Sequence, residues 1–127
     1  MTLDIIFRAE RSGPFKGELT AVFPSLPFDY FGREMTCYAH IGQHSGCNAD
    51  WYYTTRPAKP SEYADLLAEL TRIYDDCALR VVRRRTRAHY DALGSEARHS
   101  RNELRGNPAG APWSPAARAE LADMGVL

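Results

Sequence analysis

Four side chains of the types that bind zinc lie close together near the middle of the chain. They are Cys37, His40, His44 and Cys47. Thiolates and imidazoles are the ligands of structural zinc sites, so this spacing suggests a short zinc-binding loop. Cys37 and His40 fall within an alternating, strand-like segment, where side chains three positions apart point to opposite faces. We therefore predict no metal or other cofactor, with Cys37 buried and the histidines in a turn.

Cys47 and His44 could also form a nucleophile and base, with Asp50 orienting the imidazole. Any loop that contains a cysteine offers such a trio, however, and the sequence contains no nucleophile elbow, phosphate-binding glycine loop or dinucleotide fingerprint. We therefore expect no enzymatic activity. A zinc- or cysteine-dependent activity at His40, His44 and Cys47 is kept as a third hypothesis.

The densest positive charge lies in one short segment that contains Arg83, Arg84, Arg85 and Arg87. Guanidinium groups bind phosphates and carboxylates, which predicts contact with nucleic acid or with an acidic protein surface. The alternative is a solvated strand end that balances the acidic helix before it. On a strand, Arg83 and Arg85 would share one face and Arg84 the other, so only part of the segment can form one patch.

Tyr38, His40, Tyr52 and Arg56 form the last candidate group. If the alternating apolar residues of this region face the core, Tyr38 and His40 face outward, and Tyr52 and Arg56 share their face across a hairpin. Exposed aromatic residues beside cations suit a binding surface. Alternatively, helices cover this face and the two tyrosines belong to the core.

These residues must be positioned by a sheet and its helices. Alternation predicts strands at residues 3–9, 19–23, 35–41 and 51–56, paired as two hairpins. Helical spacing over residues 62–74 predicts an amphipathic helix with Ser61 as its N-cap. Residues 79–85 are predicted as a fifth strand, with continuation of the helix towards Tyr90 as the alternative. Thr86 would then cap a further helix that carries Leu93.

The expected fold class is α+β: an antiparallel sheet of two hairpins plus a fifth strand, packed by an amphipathic helix, with C-terminal helices. We predict one domain over residues 1–105. Residues 106–127 should form a linker and a short helix that begins at Ser114 and Pro115.

The amino-acid composition argues against several classes of protein. The 127 residues carry 16 basic and 16 acidic side chains, so no net charge attracts the whole molecule to nucleic acid or to a membrane. No apolar run is long enough to span a membrane, and the N-terminal residues do not resemble a signal peptide. Three cysteines do not form a disulfide framework, so we expect a cytoplasmic protein with reduced thiols.

A resemblance extends over about residues 19–87. The segment Thr36-Cys37-Tyr38-Ala39-His40-Ile41-Gly42-Gln43-His44, followed by Thr55-Arg56-Pro57-Ala58 and Glu62-Tyr63, resembles a family of small, uncharacterised bacterial proteins often encoded on plasmids and prophages. The resemblance implies a mobile-element context, where small proteins often bind host machinery, as anti-CRISPR inhibitors do. It supplies no catalytic residues.

The leading hypothesis is a non-enzymatic binding protein that engages a host protein or a protein–nucleic-acid assembly, as an inhibitor of a host defence system. Direct nucleic-acid binding through the segment from Arg83 to Arg87 is the second hypothesis.

Overall fold

The computed structural model describes residues 2–39 and 44–106 of the chain. It has the predicted α+β class, with six strands in one sheet and three helices. The elements in chain order are β1 (Thr2–Glu10), β2 (Leu19–Pro27), β3 (Met35–Tyr38), β4 (His44–Cys47), α1 (Ala49–Thr54), β5 (Thr55–Pro57), α2 (Pro60–Ile73), β6 (Ala78–Val81) and α3 (Arg87–Gly106).

Strand β1 organises the sheet. The order is β4-β3-β2-β1-β5, and β6 also pairs with β1. On the side of β1 away from β2, the first half of the strand pairs in parallel with β6. The last residues of β1 pair antiparallel with β5 on the same side. The two short strands therefore share one edge, and a gap separates them near Phe7.

Both faces of the sheet are covered, because the apolar residues of the long strands alternate between two clusters. One cluster contains Ile5, Phe23 and Tyr38 and packs against Leu66 and Leu70 of α2. The second lies on the opposite face and receives Tyr52 from α1 and Leu93 from α3. The domain is thus a sheet between two helical layers.

Helix α2 confirms the predicted amphipathic element, but its start lies slightly earlier than predicted. The N-cap is Lys59, not Ser61, and Pro60 occupies the first helical turn. The carboxylate of Glu62 accepts a hydrogen bond of 2.9 Å from the backbone N–H of Lys59, which stabilises this start in place of a serine hydroxyl. Burial of Leu66 and Leu70 contributes about 1.5–3 kcal/mol each before entropic costs.

The second hairpin exists, but the prediction for residues 51–56 was wrong. The partner of β3 is β4, which lies before the predicted strand. Asn48 then caps α1, because its side-chain oxygen accepts a hydrogen bond of 2.8 Å from Trp51 N–H. The β-favouring side chains here are therefore helical as far as Thr54, and only β5 remains extended. The N-cap outweighs strand propensity over so short a segment.

The predicted strand over residues 79–85 is confirmed only as far as Val81. Beyond Val82, whose N–H bonds to the carbonyl of Ile5, the edge of β1 is occupied by β5, so β6 cannot continue. Arg83, Arg84 and Arg85 therefore lie in a loop rather than on a strand, and Arg87 begins α3. Thr86 caps α3 as predicted, since its hydroxyl accepts the backbone N–H of His89 at 3.3 Å.

The predicted linker and Ser114 helix lie outside the described residues, as does His40. Among the helices that are described, none is both long and apolar enough to cross a membrane.

Candidate functional site

Among the described members of the predicted Tyr38, His40, Tyr52 and Arg56 surface, the two tyrosines belong to the core, as in the alternative prediction. Tyr38 and Tyr52 are each 2% exposed, and they belong to the two apolar clusters on opposite faces of the sheet. The prediction placed residues 51–56 on a strand next to β3, and α1 occupies that segment instead. Arg56 lies elsewhere, on β5, beside α2.

Cys37 and Cys47 lie on one face of the sheet, and His44 lies on the other. The ring of His44 lies 5.0 Å from that of Tyr38, and its Nε2 is 2.7 Å from the hydroxyl of Tyr74. Burial raises the pKa of Tyr74 to about 12, so this hydroxyl remains protonated and can donate. Cys37 and Cys47 belong to the opposite cluster. His44 therefore cannot serve as a base for Cys47.

A hydroxyl, an imidazole and a carboxylate also lie in line at the start of α3. His89 Nε2 is 2.8 Å from Asp4, and His89 Nδ1 is 3.1 Å from the hydroxyl of Thr86. Sequence spacing could not reveal this line, because Asp4 is remote in the chain. The backbone N–H of Thr86 donates to Nδ1 at 3.0 Å, so Nε2 carries the hydrogen and donates to Asp4. Because Nδ1 accepts the Thr86 N–H and the Thr86 hydroxyl accepts the His89 N–H, the line is a structural contact at the start of α3.

Asp4 also receives two hydrogen bonds from Arg80, at 2.7 and 2.9 Å. The Arg80 guanidinium is the main cause of a lowered pKa for Asp4, with a smaller contribution from His89. One carboxylate of β1 thus joins β6 and α3.

Sequence reasoning also missed Arg8, which is buried within the sheet. Its guanidinium donates to the hydroxyl of Thr55 at 2.8 Å and to the Thr55 carbonyl at 2.7 Å. It also lies 4.3 Å from the centre of the Tyr52 ring. Arg8 therefore attaches α1 and β5 to β1. The sequence feature that could have revealed Arg8 is a charged residue within the alternating apolar pattern of residues 3–9.

The gap between β5 and β6 forms a groove of about 1000 Å³, and it brings two predicted site residues together. Arg56 lies on the β5 side and Arg83 on the β6 side. The rings of Phe7 and Tyr63 are stacked at 4.2 Å within the groove. The remaining lining comes from the start of α2 and from β6: Pro57, Ala58, Lys59, Pro60, Ser61, Glu62, Val81 and Val82.

The basic side chains of the groove differ in whether they are already paired with an acidic side chain. Arg56 donates two hydrogen bonds to Glu62, at 2.9 and 2.8 Å, and this pairing is the largest cause of a Glu62 pKa of about 2. Lys59 and Arg83 are exposed, and neither forms a salt bridge within the described part of the chain. The groove therefore combines the half-buried ring of Tyr63, which packs on the buried Phe7, with two exposed cations.

The rest of the arginine segment continues from this groove. Arg84 is exposed, and the side chain of Arg87 is 89% exposed with one long contact of 3.5 Å to Asp91. Arg85 is half-buried, and its guanidinium lies 5.6 Å from the centre of the Tyr90 ring. Of the four arginines in this segment, only Arg83 lines the groove.

No protein-family profile, curated protein or solved structure matches this chain.

Proposed function

We propose that this chain is a non-enzymatic binding protein that holds an acidic segment of a partner protein, or of a protein–nucleic-acid assembly, in the groove between β5 and β6. One observation carries the proposal. Lys59, which follows β5, and Arg83, which follows β6, line the same groove as Phe7 and Tyr63, and both cations are exposed.

The chemistry of the lining defines the ligand. The half-buried Tyr63 ring and the exposed Val81 supply apolar contact area, whereas a guanidinium and an ammonium attract carboxylates or phosphates. The matching segment carries acidic side chains on either side of an apolar or aromatic residue. Glu62 would repel such a segment, but its carboxylate is already paired with Arg56 at 2.8 Å. The lining supports recognition rather than catalysis, because no nucleophile and base converge in it.

The test is a pull-down from bacterial lysate with three tagged baits. The wild type is compared with the double variant Lys59→Glu/Arg83→Glu. The matched control Lys16→Glu/Arg98→Glu makes the same charge change at two exposed cations outside the groove. We expect a partner retained by the wild type and the control, resistant to nuclease, and lost from the groove variant. Equal capture by the groove variant and the control would contradict the proposal.

The family resemblance extends this proposal to inhibition of a host defence assembly. The captured partner should then be part of such an assembly. A cytoplasmic location also belongs to it and is supported by three free thiols.

Direct nucleic-acid binding is the second candidate, and the exposure of Arg83, Arg84 and Arg87 favours it. If these side chains contact phosphates, the protein should bind DNA of arbitrary sequence, with an affinity that falls steeply with salt. Each arginine removed should then reduce the log–log salt slope by about 1. Because Asp4 and Asp91 pair with Arg80 and Arg87, we expect no detectable binding at about 150 mM salt.

Fluorescence anisotropy with a random-sequence labelled duplex and single strand measures this directly. Submicromolar, salt-dependent affinity that Arg83→Glu/Arg84→Glu abolishes would make nucleic acid the primary partner. The third hypothesis receives no support from the described residues, because His44 and Cys47 lie on opposite faces of the sheet.

A further inference from the structure

Two thiols lie side by side on the hairpin formed by β3 and β4. Cys37 pairs with Ser45 across the hairpin, and Cys47 pairs with Met35, so the two cysteines are diagonal neighbours on one face. The two thiols are close enough that each shifts the pKa of the other. The hydroxyl of Ser45 lies 3.2 Å from the same sulfur. The third cysteine, Cys77, lies elsewhere, next to the carbonyl of Tyr74.

The two thiols are buried but accessible to small reagents. Cys37 is 6% exposed and Cys47 is 7% exposed, yet both line a pocket of about 380 Å³. Trp51 and Glu34 also line this pocket. A reagent the size of a peroxide can therefore reach the sulfur atoms without unfolding of the hairpin.

Their proximity makes the two thiols chemically unequal. The neighbouring Cys47 thiol lowers the pKa of Cys37 to about 7, whereas Cys37 and burial raise the pKa of Cys47. Cys37 is therefore the nucleophile of the pair, and Cys47 keeps its proton. A low-pKa thiol next to a second cysteine is the usual arrangement of oxidation-sensitive sites.

We propose that Cys37 and Cys47 form a reversible oxidation site whose oxidant is a hydroperoxide. The Cys37 thiolate attacks the distal oxygen of the hydroperoxide, the O–O bond breaks, and Cys37 becomes a sulfenic acid while an alcohol or water leaves. The Cys47 sulfur then attacks the Cys37 sulfur. An S–S bond forms, the S–O bond breaks, and the hydroxyl leaves as water with the Cys47 proton. Both cysteine sulfurs end oxidised by one electron each, and the peroxide is reduced by two.

The diagonal arrangement indicates that the resulting disulfide is easily reduced. Diagonal residues of an antiparallel pair lie about 7–8 Å apart, whereas unstrained disulfides span about 4.4–6.8 Å between Cα atoms. Closure therefore draws β4 inward, and a strained disulfide is more readily reduced than a relaxed one. Among the described strands, β4 pairs only with β3, so it can move without breaking a second ladder.

The rate advantage of Cys37 follows from its ionisation. At pH 7 a thiol with a pKa near 7 is about half thiolate, against about 1% for one with the ordinary value of 9.0, a ratio of about 50. Lower basicity reduces the reactivity of each thiolate by about 8-fold. We therefore expect Cys37 to react about 6-fold faster than an ordinary cysteine of equal access.

The experiment treats the reduced full-length protein with a small excess of hydrogen peroxide at pH 7. The unmutated chain should lose two of its three titratable thiols and about 2 Da of mass, and peptide mapping should find Cys37 linked to Cys47. Cys77→Ser is the matched control and should behave in the same way. Dithiothreitol should restore the thiols. Preferential oxidation of Cys77, or a disulfide that includes it, would overturn the proposal.

Two further variants, made in the Cys77→Ser background, test the assigned roles. Cys47→Ser keeps a hydroxyl donor but cannot resolve, so a sulfenic acid should accumulate at Cys37 and be trapped by dimedone. Cys47→Ala removes the donor, so trapping at pH 7 should slow several-fold. Equal trapping rates in the two variants would show that the side chain at position 47 does not activate Cys37. Far-UV circular dichroism checks that each variant is folded, and the mapping of the unmutated chain does not depend on any variant.

Discussion

Two leucines on opposite faces of the sheet test the layered arrangement. Leu70 of α2 and Leu93 of α3 are 0% and 1% exposed, and they belong to different apolar clusters. Truncation of a buried leucine to alanine costs about 2–5 kcal/mol, because transfer energy is lost and a cavity remains. We expect about 3 kcal/mol for each of Leu70→Ala and Leu93→Ala. Each should lower the melting temperature by about 9–15 °C for a domain of this size.

Additivity separates this arrangement from a single shared core. The sheet lies between Leu70 and Leu93, so their effects should add within about 0.5 kcal/mol. Leu66 shares its cluster with Leu70, and the pair Leu66→Ala/Leu70→Ala should therefore deviate from additivity by more than that.

Urea denaturation followed by circular dichroism gives the required free energies of unfolding. Ile73→Ala is the control, because Ile73 lies on α2 but is 46% exposed, and it should cost less than about 1 kcal/mol. An unchanged midpoint for Leu70→Ala would mean that α2 does not pack on this face. A large coupling between Leu70 and Leu93 would refute the separation of the two clusters.

Three further outcomes are expected. The stability difference between wild type and Glu62→Gln should be constant above about pH 5.5 and should vanish as the pH falls through about 2. This follows because the folded pKa of Glu62, about 2, lies below its ordinary 4.5, so the unfolded chain binds the proton more readily; a difference that grows on acidification would contradict the pairing. Arg8→Ala should cost about 3 kcal/mol, because it removes the buried hydrogen bonds to Thr55 and the contact with the Tyr52 ring, whereas Arg11→Ala, which removes one hydrogen bond at an exposed position, should cost about 1 kcal/mol or less; equal losses in urea titrations would refute the distinction. Elemental analysis should find less than one zinc per chain, and a stoichiometric zinc lost with His44→Ala would require a different hairpin.

The parts of the fold that the sequence predicted are those with long periodic patterns. The first hairpin and α2 follow from alternation and from helical spacing sustained over several turns. The errors occur in short segments, where tertiary contacts outweigh propensity. At residues 51–56, the cap at Asn48 converts a β-favouring run into a helix, and at residues 82–85 the edge of β1 is already occupied.

The candidate site was predicted only in part, for a related reason. Arg56 and Arg83 were identified by residue type, but nothing in the sequence showed that they face one groove, since that depends on two short strands meeting the same edge of β1. Tyr38 was placed on a surface because alternation shows which residues share a face and not whether a helix covers it. The diagonal placement of Cys37 next to Cys47 was missed because the predicted hairpin used the wrong second strand.

The two polar residues inside β1 explain how the groove keeps its shape. Asp4 and Arg8 lie four residues apart on one strand, where burial of charge carries a cost that apolar residues would avoid. Asp4 attaches the β6 side of the groove through Arg80, and Arg8 attaches the β5 side through Thr55. Directional hydrogen bonds fix the position of each side more narrowly than apolar contact does. These contacts hold the walls of the groove in place, so the proposed ligand would not have to order them on binding.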